Sequence, residues 1–372
     1  MTDRIYLDYN ATAPILPEVI EAMVAVMADT GNPSSVHQFG RTARNRVEEA
    51  RMQVATLVNC KPQEVIFTSG GTEANNLALS ALSGRDLMVS KIEHDSVLAA
   101  VEDKSKHLNV DGNGIIKFEE ALANLNALVE NVLLSVMLAN NETGVIQPIR
   151  QFADNAHQHG ALLHCDSIQA AGKIPVDFNA LDVDMMSLSA HKIGGPQGVG
   201  ALVVREGLPI RASVKGGGQE LGRRAGTENV AGIVGFGSAA NLAWSELNQY
   251  TKVERLRDKM EALIHDISSG TVFYGDAATR LPNTSTMSMP GVPAELQVMN
   301  FDLSGIAVSA GSACSSGKVK VSHVLTAMGA SEEEASSAIR VSLGPATTKR
   351  DIDVFVDNWE KLYHRKSPKY AA

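Results

Sequence analysis

The sequence is short of cysteine, short of positive charge and without a long apolar run, and each shortage excludes something. Cys60, Cys165 and Cys314 are the only cysteines in 372 residues and stand far apart. No pair has metal-ligand or redox-pair spacing, and an odd, scattered set builds no disulfide framework. Cys60 and Cys165 fit the usual use of a free cysteine as a small buried apolar residue. Lys plus Arg number 33 against 42 Asp plus Glu, for a formal net charge of −9. That balance speaks against a protein that binds nucleic acid by neutralising phosphates. No apolar run nears the roughly 20 residues that span a bilayer; the longest lies around Val132–Ala139. The opening stretch, MTDRIYLDYN, has no basic segment followed by an apolar one, so it does not read as a signal peptide. A cytoplasmic chain without a membrane or nucleic-acid partner is the expectation. A content of 44% hydrophobic and 20% charged residues belongs to a globular protein with a real core.

Short apolar runs alternate with helical patterns. Strands are expected at Glu64–Thr68, Asp86–Ser90, Val132–Val136, Ala161–Cys165, Met185–Ser189 and Gly200–Arg205. Helices are expected at Thr72–Leu82, Glu119–Leu128 and Ile149–Gln158. This alternation predicts an α/β fold with βαβ units and a mostly parallel sheet covered on both faces. After about residue 240 the pattern changes. Glu246–Ile267 reads as one long charged helix, Thr284–Met289, Ala307–Ser309 and Ile339–Ser342 as strands, and Lys349–Tyr363 as a final helix. That is the pattern of a smaller α+β unit. Two Gly/Ser-rich stretches, Lys215–Glu228 and Ser309–Lys320, read as mobile loops with a function.

Four stretches carry residues suited to chemistry. At Thr68-Ser-Gly-Gly71-Thr72-Glu73 a strand runs through small residues into a helix. Free N–H groups at such a helix start, with glycines that let an anion approach and a hydroxyl on Thr72, make a phosphate site. The same residues also fit a plain helix cap. The stretch is neither a Walker loop nor a dinucleotide fingerprint. At Ser187-Leu-Ser189-Ala-His191-Lys192 a strand ends in a lysine, followed by a glycine turn. Open α/β sheets bind ligands at that edge, and lysine forms Schiff bases with carbonyl cofactors. A surface lysine is the plain alternative. At His164-Cys165-Asp166-Ser-Ile-Gln169 an acid sits at another strand end, where it is either solvated or paired with a cationic ring nitrogen. Glu93-His94 follows a third strand, with His94 a helix cap or an acid–base group above a ring.

Taken in order, these motifs resemble those of the cysteine desulfurases, enzymes of the class V aminotransferase group that use pyridoxal 5'-phosphate (PLP). The resemblance runs from Tyr6–Pro14 and Gly31–Ser35 through the stretches above, Asn140–Gly144, Arg224–Thr227 and Ser309–Cys314 to Ile339–Leu343. It implies fold type I of the PLP-dependent transferases. A large PLP-binding domain, 16–248, would hold a mostly parallel seven-stranded sheet. A small domain, 1–15 with 249–372, would carry the loop of Cys314. The resemblance also implies roles. Lys192 would carry the Schiff base. His94 would stack on the ring and move protons. Asp166 would hold the ring nitrogen and Gln169 the ring oxygen. Gly71, Thr72, Ser189 and His191 would hold the phosphate, and Thr227 would reach the phosphate of a second subunit in a homodimer. Asn141 and Arg340 would position the substrate, with Arg340 taking its carboxylate. Gly194 and Gln197 depart from the family at the turn after Lys192, and Gly317 and the residues after it depart in the Cys314 loop.

The implied reaction converts L-cysteine to L-alanine and leaves a persulfide on Cys314, to be passed to a protein acceptor such as an iron–sulfur scaffold or a thiolation partner. The alternative is another fold-type I enzyme, a selenocysteine lyase or an aminotransferase, in which Cys314 is structural. The setting of Cys314 in Ala-Gly-Ser-Ala-Cys-Ser-Ser-Gly, rather than in an apolar run, favours the nucleophile.

Overall fold

A computed structural model describes residues 4–82, 84–101, 105–127, 131–310 and 321–366. Its centre is a seven-stranded sheet. In spatial order the strands are Val65–Thr68, Gly200–Val204, Met185–Ser189, Leu162–Asp166, Val132–Met137, Asp86–Ser90 and Lys106–Leu108. Gly200–Val204 runs antiparallel to both neighbours, and every other pairing is parallel. The apolar runs explain this. Val132–Met137 is buried at all six positions, as a strand covered on both faces must be. The helix Ile149–Gln158 covers one face with Ile149, Phe152, Ala153 and Ala156, one stripe at helical spacing. Phe152 meets Phe118 edge-on, 5.3 Å between ring centroids; burying one such ring stabilises by roughly 1.5–3 kcal/mol.

Parallel strands end at one edge of the sheet, and there the register sets Met137, Asp166 and Ser187 side by side. Each chain then turns. The residues singled out from the sequence follow within a few positions: His94 after Ser90, Asn141 after Met137, Gln169 after Asp166 and Lys192 after Ser189.

Beyond residue 245 lies a second, antiparallel sheet in the order Ser309–Ala310, Ala338–Ser342, Thr284–Ser288, Val272–Phe273. Its own apolar cluster includes Leu7, Val253, Met260, Phe301, Ile339, Phe355 and Trp359. Tyr274, Leu281, Val324 and Leu325 instead join the core of the large sheet, so the two units share an apolar seam. The N-terminal segment crosses that seam. Ile5–Tyr6 pairs with Ile306–Ala307, Asp8 bridges to Ser342, and the chain arrives at the sheet edge with Asn10 and Ala11.

Three expectations need correction. Ala307–Ser309 is not one strand. Ala307 pairs with Tyr6 and Ser309 with Arg340, in different sheets, because the chain changes ladder at Val308. The long helix starts at Tyr250, after a separate short 3-10 turn, Leu247–Gln249. The stretch 215–228 is tethered: both Arg51 terminal nitrogens hold the Glu220 carboxylate, at 2.7 and 2.9 Å, and the Phe67 N–H donates to it at 3.0 Å. Cys314, Gly317 and the rest of 311–320 lie outside the described residues.

Candidate active site

A cavity of about 1190 Å³ opens at the carboxyl edge of the large sheet. His94, Asn141, Gln169, Lys192 and Arg340 all line it, with Asn10 and Ala11 beside them. Residues 246 positions apart in the chain meet there because four strand ends and the small unit converge on one edge.

Lys192 ends the 3-10 turn Ala190–Lys192 that follows strand Met185–Ser189. Its ammonium donates to the carbonyls of Asn10, at 2.6 Å, and Ala11, at 2.8 Å. His191 beside it contacts the Thr12 hydroxyl at 3.1 Å. Burial and the neighbouring Lys192 charge press the His191 pKa down to about 4. At neutral pH His191 is therefore uncharged and can offer a donor without adding charge.

Asp166 is buried at the end of its strand. Its carboxylate accepts from Asn75 Nδ2 at 2.7 Å and from the Ile168 N–H at 3.0 Å. Burial pushes its carboxyl above the usual range, while His94 and Lys192 pull the other way. Asn75 also donates to Ser96 Oγ at 2.8 Å. The Ser96 N–H in turn donates to His94 Nδ1 at 3.0 Å. That bond leaves the proton of neutral His94 on Nε2. One asparagine thus ties the acid of one strand end to the histidine of another. Glu93 does a similar service: its Oε1 accepts from Ser90 Oγ at 2.6 Å and from the Met137 N–H at 2.9 Å. Burial raises its pKa to about 8.

Gly71 begins the helix Gly71–Ser80, and a Cβ there would sit 2.3 Å from Ile168 Cδ1 and 3.4 Å from Ser189 Cβ. The missing side chain lets helix start, Ile168 and strand end come close together. The Ser189 hydroxyl is buried there with no hydrogen-bond partner, and Thr72 is exposed one residue on. This corner combines free helix N–H groups, an unspent buried hydroxyl and a cradle with no side chain, the donor set of an anion site.

Arg340 lies in strand Ala338–Ser342 of the second sheet and is 4% exposed. It donates to the Asn141 carbonyl at 3.1 Å and to Asp8 Oδ1 at 2.8 Å, and its Nε is buried without a partner. Thr227 does not line this cavity. It lies with Arg224 and Glu220 in a separate depression beside Ser69.

Residues 5–355 match the Aminotransferase class-V family. The chain belongs to that family. Among its relatives, the cysteine desulfurase IscS of Dictyoglomus turgidum is 40% identical over 381 residues, spanning 98% of this chain and 96% of the relative. A cysteine desulfurase of Cereibacter sphaeroides is 42% identical over 94% of this chain and 93% of its own length. The NifS-like protein of Rickettsia africae superposes with a TM-score of 0.91 at 36% identity, over 97% of this chain and 99% of that one. A structure of SspA in complex with cysteine covers 92% of this chain and all of that one, at 30% identity and a TM-score of 0.78. Within the class-V family the chain thus stands among the cysteine desulfurases, with their fold.

Several residues that meet at this edge escaped sequence reasoning. Asp8 and Asn10 stood inside a quoted motif with no role attached. Asn75 and Lys173 carried no signal: each is a polar residue in a helix or turn with a partner in a distant segment, Asp166 for Asn75 and Asn10 for Lys173.

Proposed function

We propose that the chain converts L-cysteine to L-alanine and hands the sulfur on as an enzyme-bound persulfide, with PLP as cofactor. The observation that carries the reading is the meeting of Lys192, Asp166 and His94 at one sheet edge with an anion corner at Gly71 and Ser189 and a buried guanidinium at Arg340. The residues fit PLP in kind. Burial holds the Asp166 carboxyl high, and a cationic ring nitrogen against it would bring it back to the ionised form. Ser189, the N–H groups after Gly71, Thr72 and His191 would hold the phosphate, and Gln169 the ring oxygen. Bound there, PLP supplies a ring that takes up the electrons released at the α-carbon of the substrate.

The chain's own residues do the rest. Lys192, steered by the Asn10 and Ala11 carbonyls, would attach the cofactor and then move the α-proton. His94, its ring fixed by Ser96, would stack on the cofactor and give or take a proton through Nε2. Arg340 would take the substrate carboxylate, with Asn141 beside it. Cys314 would attack the substrate sulfur as a thiolate, forming an S–S bond as the carbon–sulfur bond breaks, with its electron pair and a proton completing alanine. The segment of Cys314 leaves from Ser309–Ala310 and returns at Val321, which lines the cavity.

Homodimerisation belongs to the same reading, with Thr227 reaching the partner's phosphate site. It is supported by the apolar side chains left exposed at Ile20, Val24, Met27, Val36 and Phe39, and by Leu221, 77% exposed in the loop of Thr227. So do the division into 16–248 and 1–15 with 249–372, an iron–sulfur scaffold or thiolation protein as acceptor, and a cytoplasmic location. No described helix is long and apolar enough to cross a membrane.

The test is turnover of L-cysteine with a thiol reductant, reading alanine and sulfide together. Equimolar release is expected from the parent. Lys192→Ala should release neither and retain no PLP covalently after borohydride reduction. Alanine released at the parental rate by Lys192→Ala refutes the assignment.

A further inference from the structure

Lys173 is 2% exposed, and its surroundings do not suit an ordinary lysine. Its nitrogen donates to Gln169 Oε1 at 2.8 Å and to Asn10 Oδ1 at 2.9 Å. Both acceptors are neutral amides. A lysine so deep without a carboxylate is rare and costly, so packing alone does not account for it. Burial and the positive charges of Lys192 and Arg340 hold its pKa well below the ordinary lysine value.

The partners matter. Gln169 lines the cavity, and its Nε2 donates to the Asn10 carbonyl at 3.0 Å. The same carbonyl accepts from Lys192 at 2.6 Å. Asn10 Oδ1, besides Lys173, accepts from Asn283 Nδ2 at 3.0 Å. A terminal amide has two orientations that differ by exchange of O and N. Lys173 donates an N–H to Gln169, and that bond sets the amide with Oε1 facing the lysine. That puts Nε2 on the cavity side. One of its hydrogens goes to Asn10, and the other is left as a donor at the sheet edge.

We propose that Lys173 is a positioning residue that holds the Gln169 amide with its N–H donor toward the ring oxygen of the cofactor. The proposal rests on the PLP reading above, in which Gln169 meets that oxygen. Without Lys173 the Gln169 oxygen has lost its donor, the Asn10 carbonyl alone favours this orientation, and a carbonyl lone pair then faces the electron-rich ring oxygen for part of the time. Lys173 stands behind Gln169 and does not line the cavity.

The experiment reads the bound cofactor rather than turnover alone. A donor on the ring oxygen draws charge from it and disfavours the proton shared with the nearby cofactor–lysine nitrogen. Loss of that donor therefore raises the pH midpoint of the visible band. Lys173→Met is expected to raise it by about one unit and to weaken PLP binding to the apo-protein about tenfold. Gln169→Ala should do the same, and the double variant should go no further than Gln169→Ala, since the effect passes through Gln169. If Lys173→Met does not fold, Lys173→Gln serves. It fills the space with an amide that donates or accepts, so it no longer selects one orientation and must raise the midpoint too. An unmoved midpoint in a folded Lys173 variant overturns the proposal. So does a shift of undiminished size in the Gln169→Ala background, which would mark a structural effect. A parent that binds no PLP and shows no visible band overturns the functional reading, and the proposal with it.

Discussion

Asp8 and Arg340 form an ion pair across the seam of the two units, the guanidinium buried and the carboxylate partly so, Oδ1 to Nη2 at 2.8 Å. The other Asp8 oxygen accepts from Ser309 Oγ at 2.8 Å. One carboxylate from the N-terminal segment therefore sets the guanidinium plane and also holds the strand from which the Cys314 segment departs. With one Arg340 terminal nitrogen on Asp8 and the other on the Asn141 carbonyl, the fork is held in a single orientation.

Asp8→Asn keeps the size and loses the charge. Arg340 should then hold its plane less well, so KM for cysteine should rise about tenfold while kcat changes less than about twofold. Steady-state kinetics check this. A fall in kcat with KM unchanged would show that Asp8 acts on the chemical step instead.

The two described cysteines are poor nucleophiles. Burial pushes the Cys60 thiol up to about 12 and raises Cys165 further still. Cys60→Ser and Cys165→Ser should therefore keep turnover within about twofold of the parent, because neither supplies a thiolate at neutral pH. Cys314→Ser should keep bound PLP and lose both the persulfide and alanine release. Mass spectrometry for an added sulfur atom, alongside alanine release, separates the three. Full activity in Cys314→Ser would point to a lyase that needs no enzyme thiol.

His164 bridges three adjacent strands. Its Nδ1 contacts Ser135 Oγ and its Nε2 Ser187 Oγ, both at 2.9 Å. Burial lowers its pKa from 6.5 to about 3. Below 6.5 the unfolded chain takes up a proton and the folded chain does not, so stability present at neutral pH is lost as pH falls toward 3. From pH 7 to pH 5 this one residue should cost about 2 kcal/mol. Urea unfolding of the parent and of His164→Gln at both pH values tests it. The gap between them should shift by that amount against the parent on acidification, and parallel pH dependence would show that His164 titrates normally in the fold.

Light scattering of the holoenzyme should give a dimer mass. Thr227→Ala should remain dimeric and bind PLP several-fold more weakly, as expected for one lost hydroxyl on an anion. A fully active monomer would contradict the shared site.

Much of this was legible in the chain. Continuous apolar runs such as Val132–Met137 mark buried parallel strands by composition alone, and Lys192, Asp166 and His94 announced themselves by standing just past strand ends. Other features had no such mark. Ala307–Ser309 looked like one strand because three residues cannot show a change of partner. Gln169 and Lys173 are four apart in sequence, yet their importance depends on Asn10, more than 150 residues away.

Sequence by itself determined the α/β class and set Lys192, Asp166 and His94 at or just past strand ends. These follow from local hydrophobic periodicity and from the short reach between a strand end and the next residues. Tertiary structure alone decided which neutral and charged groups complete the site: Asn75 between Asp166 and Ser96, Asp8 behind Arg340, Lys173 behind Gln169. The physical reason is desolvation. A buried donor or acceptor must find a partner wherever the packing of distant segments brings one, and that choice is made by the folded core, not by neighbours along the chain.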